Sequence, residues 1–460
     1  MVYVVDIPDA SGGGKQGPDD FLASGGTIEG LLEHARGYSD FDLRDSAESW
    51  PVLEDEALYG LAGKVVKTIG PNTESDPVAI LLEFLSRFGN LIGRGAHFEV
   101  EGDRHYLKIF HVSVGETSKG RKGTAQGRVD LVMEPIDRFW REDCVETGLS
   151  SGEGVVHRVR DEVKKEKDGE TIVVDPGVKD KRLLIAEPEF AAPLTIMQRE
   201  GNTLSMVIRN LWDDKKLGTL TKNNQETSTG SHGTIVGHIT KSELLKHLTE
   251  ARLGGGIANR FLFVLVRRSK ALPHGGSRDV FDQETISALR KAAAFGKEFR
   301  NIGFCKEIEE GFGYSADELW VDVYEDLSEG KPFLVGAVTS RAEAYVRRIA
   351  TLYAVLDCSE VVRVPHLLAA LAVWQYAEHS ATLLFGGRTG DGHADLILAA
   401  LRENKGGLNR TELHQVLDNN VPALRLTALL KELQAAGWVD SKKVETEGKG
   451  RPSEVWFIDE

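Results

Sequence analysis

The segment HVSVGETSKGRKGTA, residues 111–125, sets an apolar strand pattern before a basic, glycine-rich loop and a helix-forming run. That order suits a phosphate group. Glycines let backbone N–H groups approach the anion, and the N-terminus of the following helix adds a favourable dipole. A lysine completes the neutralisation, and a Ser or Thr hydroxyl ligates Mg2+. Gly115 and Gly120 have the spacing of the G-x-x-x-x-G-K-[ST] phosphate loop, but Arg121 stands where that pattern has lysine. Lys122, Gly123 and Thr124 follow in a lengthened ending. The expected ATP-binding set is therefore Gly115, Thr117, Gly120, Arg121, Lys122, Gly123 and Thr124. Lys122 is the phosphate lysine in this reading and Thr124 the Mg2+ ligand, with Arg121 and Lys119 as alternatives for the cation. The competing reading is a basic surface turn.

Hydrolysis would also need a metal tether and a proton acceptor, and carboxylates supply both. KRLLIAEPEF, residues 181–190, runs four apolar residues into Glu187 and Glu189. Glu187 is expected to orient Mg2+, and Glu189 to polarise the attacking water, on a strand beside the phosphate loop. Helix capping is the alternative use of both acids. HGTIVGHIT, residues 232–240, is a second apolar strand, ending in His238 and Thr240. His238 is the candidate sensor of the γ-phosphate. Arg260, in GGGIANRF before the strand FLFVLV, is expected to emerge at a sheet edge and reach a neighbouring subunit's nucleotide. Its alternative is an ion pair with a core carboxylate.

These residues need a scaffold. KIFHVSV, DCVETGLS, RLLIAEPE, HGTIVGHIT and RFLFVLVRR read as strands. Helical candidates at residues 127–139, 152–161 and 190–212 lie between them, and the alternation predicts a largely parallel sheet covered by helices. Upstream, residues 1–45 read as a disordered tail. Residues 46–108 begin helically, with DPVAILLEFLSRFGNLIG carrying apolar residues at helical spacing, and end in strands around a turn at Gly102–Asp103. The core is expected over residues 109–270, with KKEKDGETIVVDPGVKDK as a surface loop or hairpin. A helical domain is expected over residues 278–388.

Residues 391–460 read as a separate winged helix: HADLILAALREN, NRTELHQVL capped by Asn409, VPALRLTALLKELQAAG ended by Gly437, then two strands flanking TEGKGRP. Arg425, Lys431, Lys442, Lys443, Lys449 and Arg451 are its candidate duplex contacts. Lys222, Asn223 and Asn224, in the loop TLTKNNQETSTGSHG, are candidate contacts to a single strand in a central pore. Protein docking is the alternative role for the winged helix.

Composition limits these readings. A net charge of -15 argues against a surface that coats DNA nonspecifically, though not against a local channel. The three cysteines form no CxxC pair, which fits a reducing cytosol and no zinc site. No apolar run approaches membrane-spanning length and no secretory signal is evident, so a cytoplasmic protein is expected.

Residues 50–387 resemble a family of uncharacterised, YfjI-like proteins of plasmids, prophages and integrated elements, often found with primase-polymerase domains. The resemblance rests on DPVAILLEFLSRFGNLIGR, VGETSKGRKGTA, GLSSGEG, EPEFA, REGNTLSMVIRNLWD, GHIT, IANRFLFV and TSRAEAYVRRIATLYAVLD, in that order. It implies an α/β, RecA/AAA+-like P-loop ATPase core with helical flanking domains, related to replicative helicases of mobile elements. Any priming would come from a separate primase. The expected function is an ATP-hydrolysing DNA motor working as a homo-oligomeric ring. A nucleotide-controlled DNA-binding initiator without unwinding and a defence ATPase with a protein partner are the alternatives.

Overall fold

The computed structural model describes residues 3–5, 35–37, 50–116, 122–218, 226–247, 256–278, 280–444 and 453–458. Thr117, Lys119, Gly120, Arg121, Lys222, Asn223, Asn224, Lys449 and Arg451 lie outside them, as does most of the tail over residues 1–45.

The centre is a five-stranded, wholly parallel sheet. In chain order its strands are β1 (His111–Val114), β2 (Val145–Glu146), β3 (Arg182–Glu187), β4 (His232–Ile239) and β5 (Leu262–Leu265). Their spatial order is β5-β1-β4-β3-β2. Every residue of β1, β4 and β5 is buried, as expected where both faces of a parallel sheet are covered. β3 does not pair with β1, which corrects the expectation of an acidic strand directly beside the phosphate-loop strand; β4 lies between them.

The connection from β1 to β2 runs one way along the sheet, and the other three run back. Right-handed crossovers then put the first connection's helices on one face and the rest on the opposite face. The packing agrees. On β4, Thr234 and His238 face the helix α1 (Pro77–Ile92), while Gly233 and Gly237 face the other way. A Cβ at Gly233 would come within 2.4 Å of Leu211, and one at Gly237 within 2.6 Å of Phe190, so those helices press directly on the strand backbone.

Several segments break where local chemistry stops them. DCVETGLS is extended only at Val145–Glu146, because Gly148 turns to φ +83° and Ser151 then caps the helix Gly152–Arg158. The helix expected over residues 127–139 is two: α2 (Lys122–Met133) and Arg138–Asp143, separated at Pro135 and restarted by the Asp137 cap. The one expected over residues 190–212 splits into Ala191–Ile196 and Leu204–Trp212 around Gly201. HYLKIFHVSV divides between two sheets: Asp103–Tyr106 pairs back on Ala96–Val100, while β1 enters the central sheet. The charged segment forms the exposed hairpin Val163–Lys167 with Glu170–Asp175.

The helices α3 (Ala342–Leu356) and α4 (Val364–Phe385) close the core. Tyr345 on α3 donates to the carbonyls of Phe110 and Arg260 at 3.0 and 2.7 Å, and Ser380 on α4 accepts from the Leu265 amide of β5. Buried apolar side chains from Ala57 to Phe385 form one continuous core, so the segments before, within and after the sheet pack as one body. A second core runs from Ala394 to Trp456. It holds the helices Gly392–Glu403, Arg410–Val416 and Ala423–Ala435 and an antiparallel pair, Val439–Val444 with Ser453–Ile458. Asn409 caps its helix through a capping box with Glu412. Among the described residues, no helix is long and apolar enough to cross a membrane.

Candidate functional site

Adjacent strands β1 and β4 lead to helices on opposite faces of the sheet. In an open α/β sheet such a switch point opens a crevice at the carboxyl ends of the strands, where ligands bind. Here the Gly115 amide, one residue past β1, donates to the Ile239 carbonyl at the end of β4 over 3.2 Å. The glycine-rich loop leaves β1 at this crevice and re-enters the described chain at α2, whose first turn holds Lys122, Gly123 and Thr124. Gly123 and Thr124 are exposed, and among the described residues a Cβ at Gly123 would meet nothing within 4 Å.

Glu187 ends β3 and is 6% exposed. Its Oε1 accepts from the Leu149 amide at 2.6 Å, and the Gly148 amide assists. Burial pushes its carboxyl up against those donors. Glu189 is exposed, two residues on. The helix Ala191–Ile196 begins at Phe190, which makes no side-chain cap hydrogen bond, and Glu189 stands one residue before it.

His238 is not at the crevice surface, which corrects its expected sensing position. Its ring is buried, with Nε2 3.1 Å from Glu83 Oε1 on α1. Burial pushes the Glu83 carboxyl up, but Arg87, His238 and His111 outweigh it and hold it at about 2. An ionised carboxylate only accepts, so His238 Nε2 carries the hydrogen. Burial lowers His111 to about 4, leaving it neutral near pH 7. Thr240, the first residue past β4, holds the strand-end position; its hydroxyl donates to Glu243 Oε2 at 2.7 Å.

Arg260 does not emerge at the sheet edge, a second correction. It is 7% exposed, and its Nη2 donates to Asp213 Oδ2 of the same chain at 2.6 Å. The residue pairs with a part-buried carboxylate that Arg341 also approaches, at 3.8 Å. Removing Asp213 strands the buried guanidinium, whereas removing Arg260 leaves Asp213 its second cation. Asp213→Asn is therefore expected to lower folding stability by about 3 kcal/mol, measured by denaturant melts, and Arg260→Ala to lower it as well, by less. Unchanged stability in both would reopen the trans-acting role.

The sequence reading missed a polar row on α1: Glu83, Ser86, Arg87 and Asn90, all fully buried. Their i, i+3, i+4, i+7 spacing is one helical stripe, which water usually faces. The signal was the rest of the helix, which is apolar on every other side and so has no face left for solvent. Asn90 Nδ2 donates to the Leu183 and His232 carbonyls and to Thr234 Oγ1, fastening the stripe to the sheet.

In the C-terminal unit, Arg425 is exposed and pairs with Asp391. Lys442 lies over the Phe457 ring at 5.3 Å, and both Lys442 and Lys443 are exposed on the hairpin, as Lys431 is on the third helix. Compared with known proteins, the chain matches no family model and no curated protein.

Proposed function

We propose that this chain is an ATP-hydrolysing DNA motor with a RecA/AAA+-like P-loop core and a C-terminal winged helix, a replicative helicase of the YfjI-like, mobile-element kind. The observation that carries this reading is the switch point. It sets Gly115, from which the glycine-rich loop departs, the Thr240 strand end and the two acids of the β3 end along one carboxyl edge of the sheet. Phosphoryl transfer needs little more from a protein than positioned charge at such an edge. Lys122 and the α2 amides would hold the phosphates, Thr240 takes over the sensing role given to His238, and Glu189 accepts the proton of the attacking water. Thr124 and Glu187 are hard oxygen donors, the kind Mg2+ takes in ones and twos alongside substrate phosphates. Among the described residues no group of three His, Cys, Asp or Glu could cage a metal, so Mg2+ would arrive with the nucleotide and neutralise charge on its phosphates.

The test is strand displacement. The full chain with ATP and Mg2+ should unwind a forked duplex, and ATP withheld should stop it. The inward, ion-paired Arg260 removes one argument for a subunit-completed ring and favours a second reading, a nucleotide-controlled DNA-binding initiator. That reading expects ATP-dependent assembly on DNA with no unwinding.

The winged helix is read as the duplex contact through Lys442 and Lys443. Because its core is separate from the sheet's, removing residues 391–460 should weaken duplex affinity about tenfold or more at fixed salt and spare basal ATP turnover. Equal affinity by fluorescence anisotropy would make the module a protein-contact domain.

A further inference from the structure

The two sides of the crevice are joined beneath it by an unbroken line of ion pairs and hydrogen bonds. On α2, about two turns below Lys122, Asp130 accepts from Arg141 Nη2 at 3.0 Å and from Arg87 Nε at 3.1 Å. Arg87 pairs with Glu83 one turn earlier on α1, and Glu83 accepts from His238 at 3.1 Å. His238 stands two residues before Thr240 on β4. Ser86 braces the group from the side, with its Oγ 2.9 Å from His111 Nδ1. Glu83 and Arg87 are fully buried, and His238 nearly so.

Such a row is stiff. Deep in the protein a separated charge pair is worth far more than in water, so its members move together rather than part. Apolar packing would bury α1 against the sheet at lower desolvation cost, and the ions occupy the positions that face both α2 and β4. We propose that Glu83, Arg87 and Asp130 are positioning residues that couple the helix behind the phosphate loop to the strand end at Thr240. Nucleotide in the loop shifts α2, Asp130 carries Arg87 with it, and Glu83 resets His238 and the end of β4. The inference rests on the nucleotide reading and adds to it a route between loop and sensor. None of the three residues touches the substrate.

The experiment uses the full-length chain with ATP and Mg2+, following ATP affinity by calorimetry and single-turnover hydrolysis. Asp130→Asn, isosteric and able to keep accepting from Arg87 through its amide oxygen, should bind ATP within about twofold of wild type yet hydrolyse it roughly tenfold or more slowly. Asp130→Glu, which keeps the charge, should recover most of that rate. Glu83→Gln should slow hydrolysis similarly, and the double variant should lose no more than the worse single, because one chain broken twice is broken once. The coupling is overturned if Asp130→Asn turns over like wild type, if Asp130→Glu recovers nothing, or if the two losses multiply. Should Glu83→Gln fail to fold, the Asp130 pair decides alone. Should the wild type bind no ATP, the nucleotide reading falls, and hydrogen exchange then judges the coupling. Asp130→Asn must still speed exchange of the Ile239 and Thr240 amides while leaving Gly233 and Thr234 unchanged, and equal exchange at Ile239 and Thr240 ends the proposal.

Discussion

Lys122→Ala is expected to abolish ATP binding while the protein melts at its usual temperature. Lys122 opens α2, where, in the function proposed above, a cation would meet the nucleotide phosphates. A charge-assisted contact of this kind, lost without replacement, costs about 3 kcal/mol or more and moves a micromolar Kd beyond a hundredfold. The helix has no stake in the change, since alanine is at least as good a helix former as lysine. Calorimetric titration of the purified variant with ATP and Mg2+ checks it. Unchanged affinity would move the cation's role to Arg121 or Lys119, and three silent variants would reduce the segment to a surface turn.

Glu189→Gln should bind ATP normally and hydrolyse it about a hundredfold to ten-thousandfold more slowly. The amide keeps the shape of the side chain but takes no proton. Glu189 is chosen over Glu187 on environment. Glu187 is buried and tied to the Leu149 and Gly148 amides, which suits a fixed tether, whereas Glu189 is exposed at the carboxyl edge. Single-turnover hydrolysis at saturating ATP separates the two acids. Wild-type turnover in Glu189→Gln would return that residue to a surface role and leave Glu187 as the remaining acid.

The corrections at His238 and Arg260 have one cause. Each was read from its place at the end or start of an apolar strand, where a polar side chain is open to solvent unless something covers it. In both cases the cover comes from far along the chain. Glu83 lies 155 residues before His238, and Asp213 lies 47 before Arg260. Thr240 was visible at the same strand end, and the Thr-x-x-Glu spacing to Glu243 marks it as the start of the next helix, so the strand had to end before it.

The residue order by itself determined whatever rests on near neighbours. The glycine-rich loop between a strand and a helix, the Asn409 cap, the surface position of the charged segment and the helix-helix-helix-hairpin order of the last seventy or so residues each follow from spacing within a few positions, because turns, caps and hydrophobic periodicity are set by contacts that close locally. Tertiary structure alone decided the strand order β5-β1-β4-β3-β2, and with it the crevice between β1 and β4. It also decided that the polar stripe of α1 faces protein rather than water. An apolar strand pairs equally well with many partners, and a row of Glu, Ser, Arg and Asn on a helix is compatible with solvent or with matching charges. Which occurs depends on what the rest of the chain brings to that face: here Asp130 from α2 and His238 from β4, whose charge and hydrogen bonds make burial of Glu83 and Arg87 tolerable.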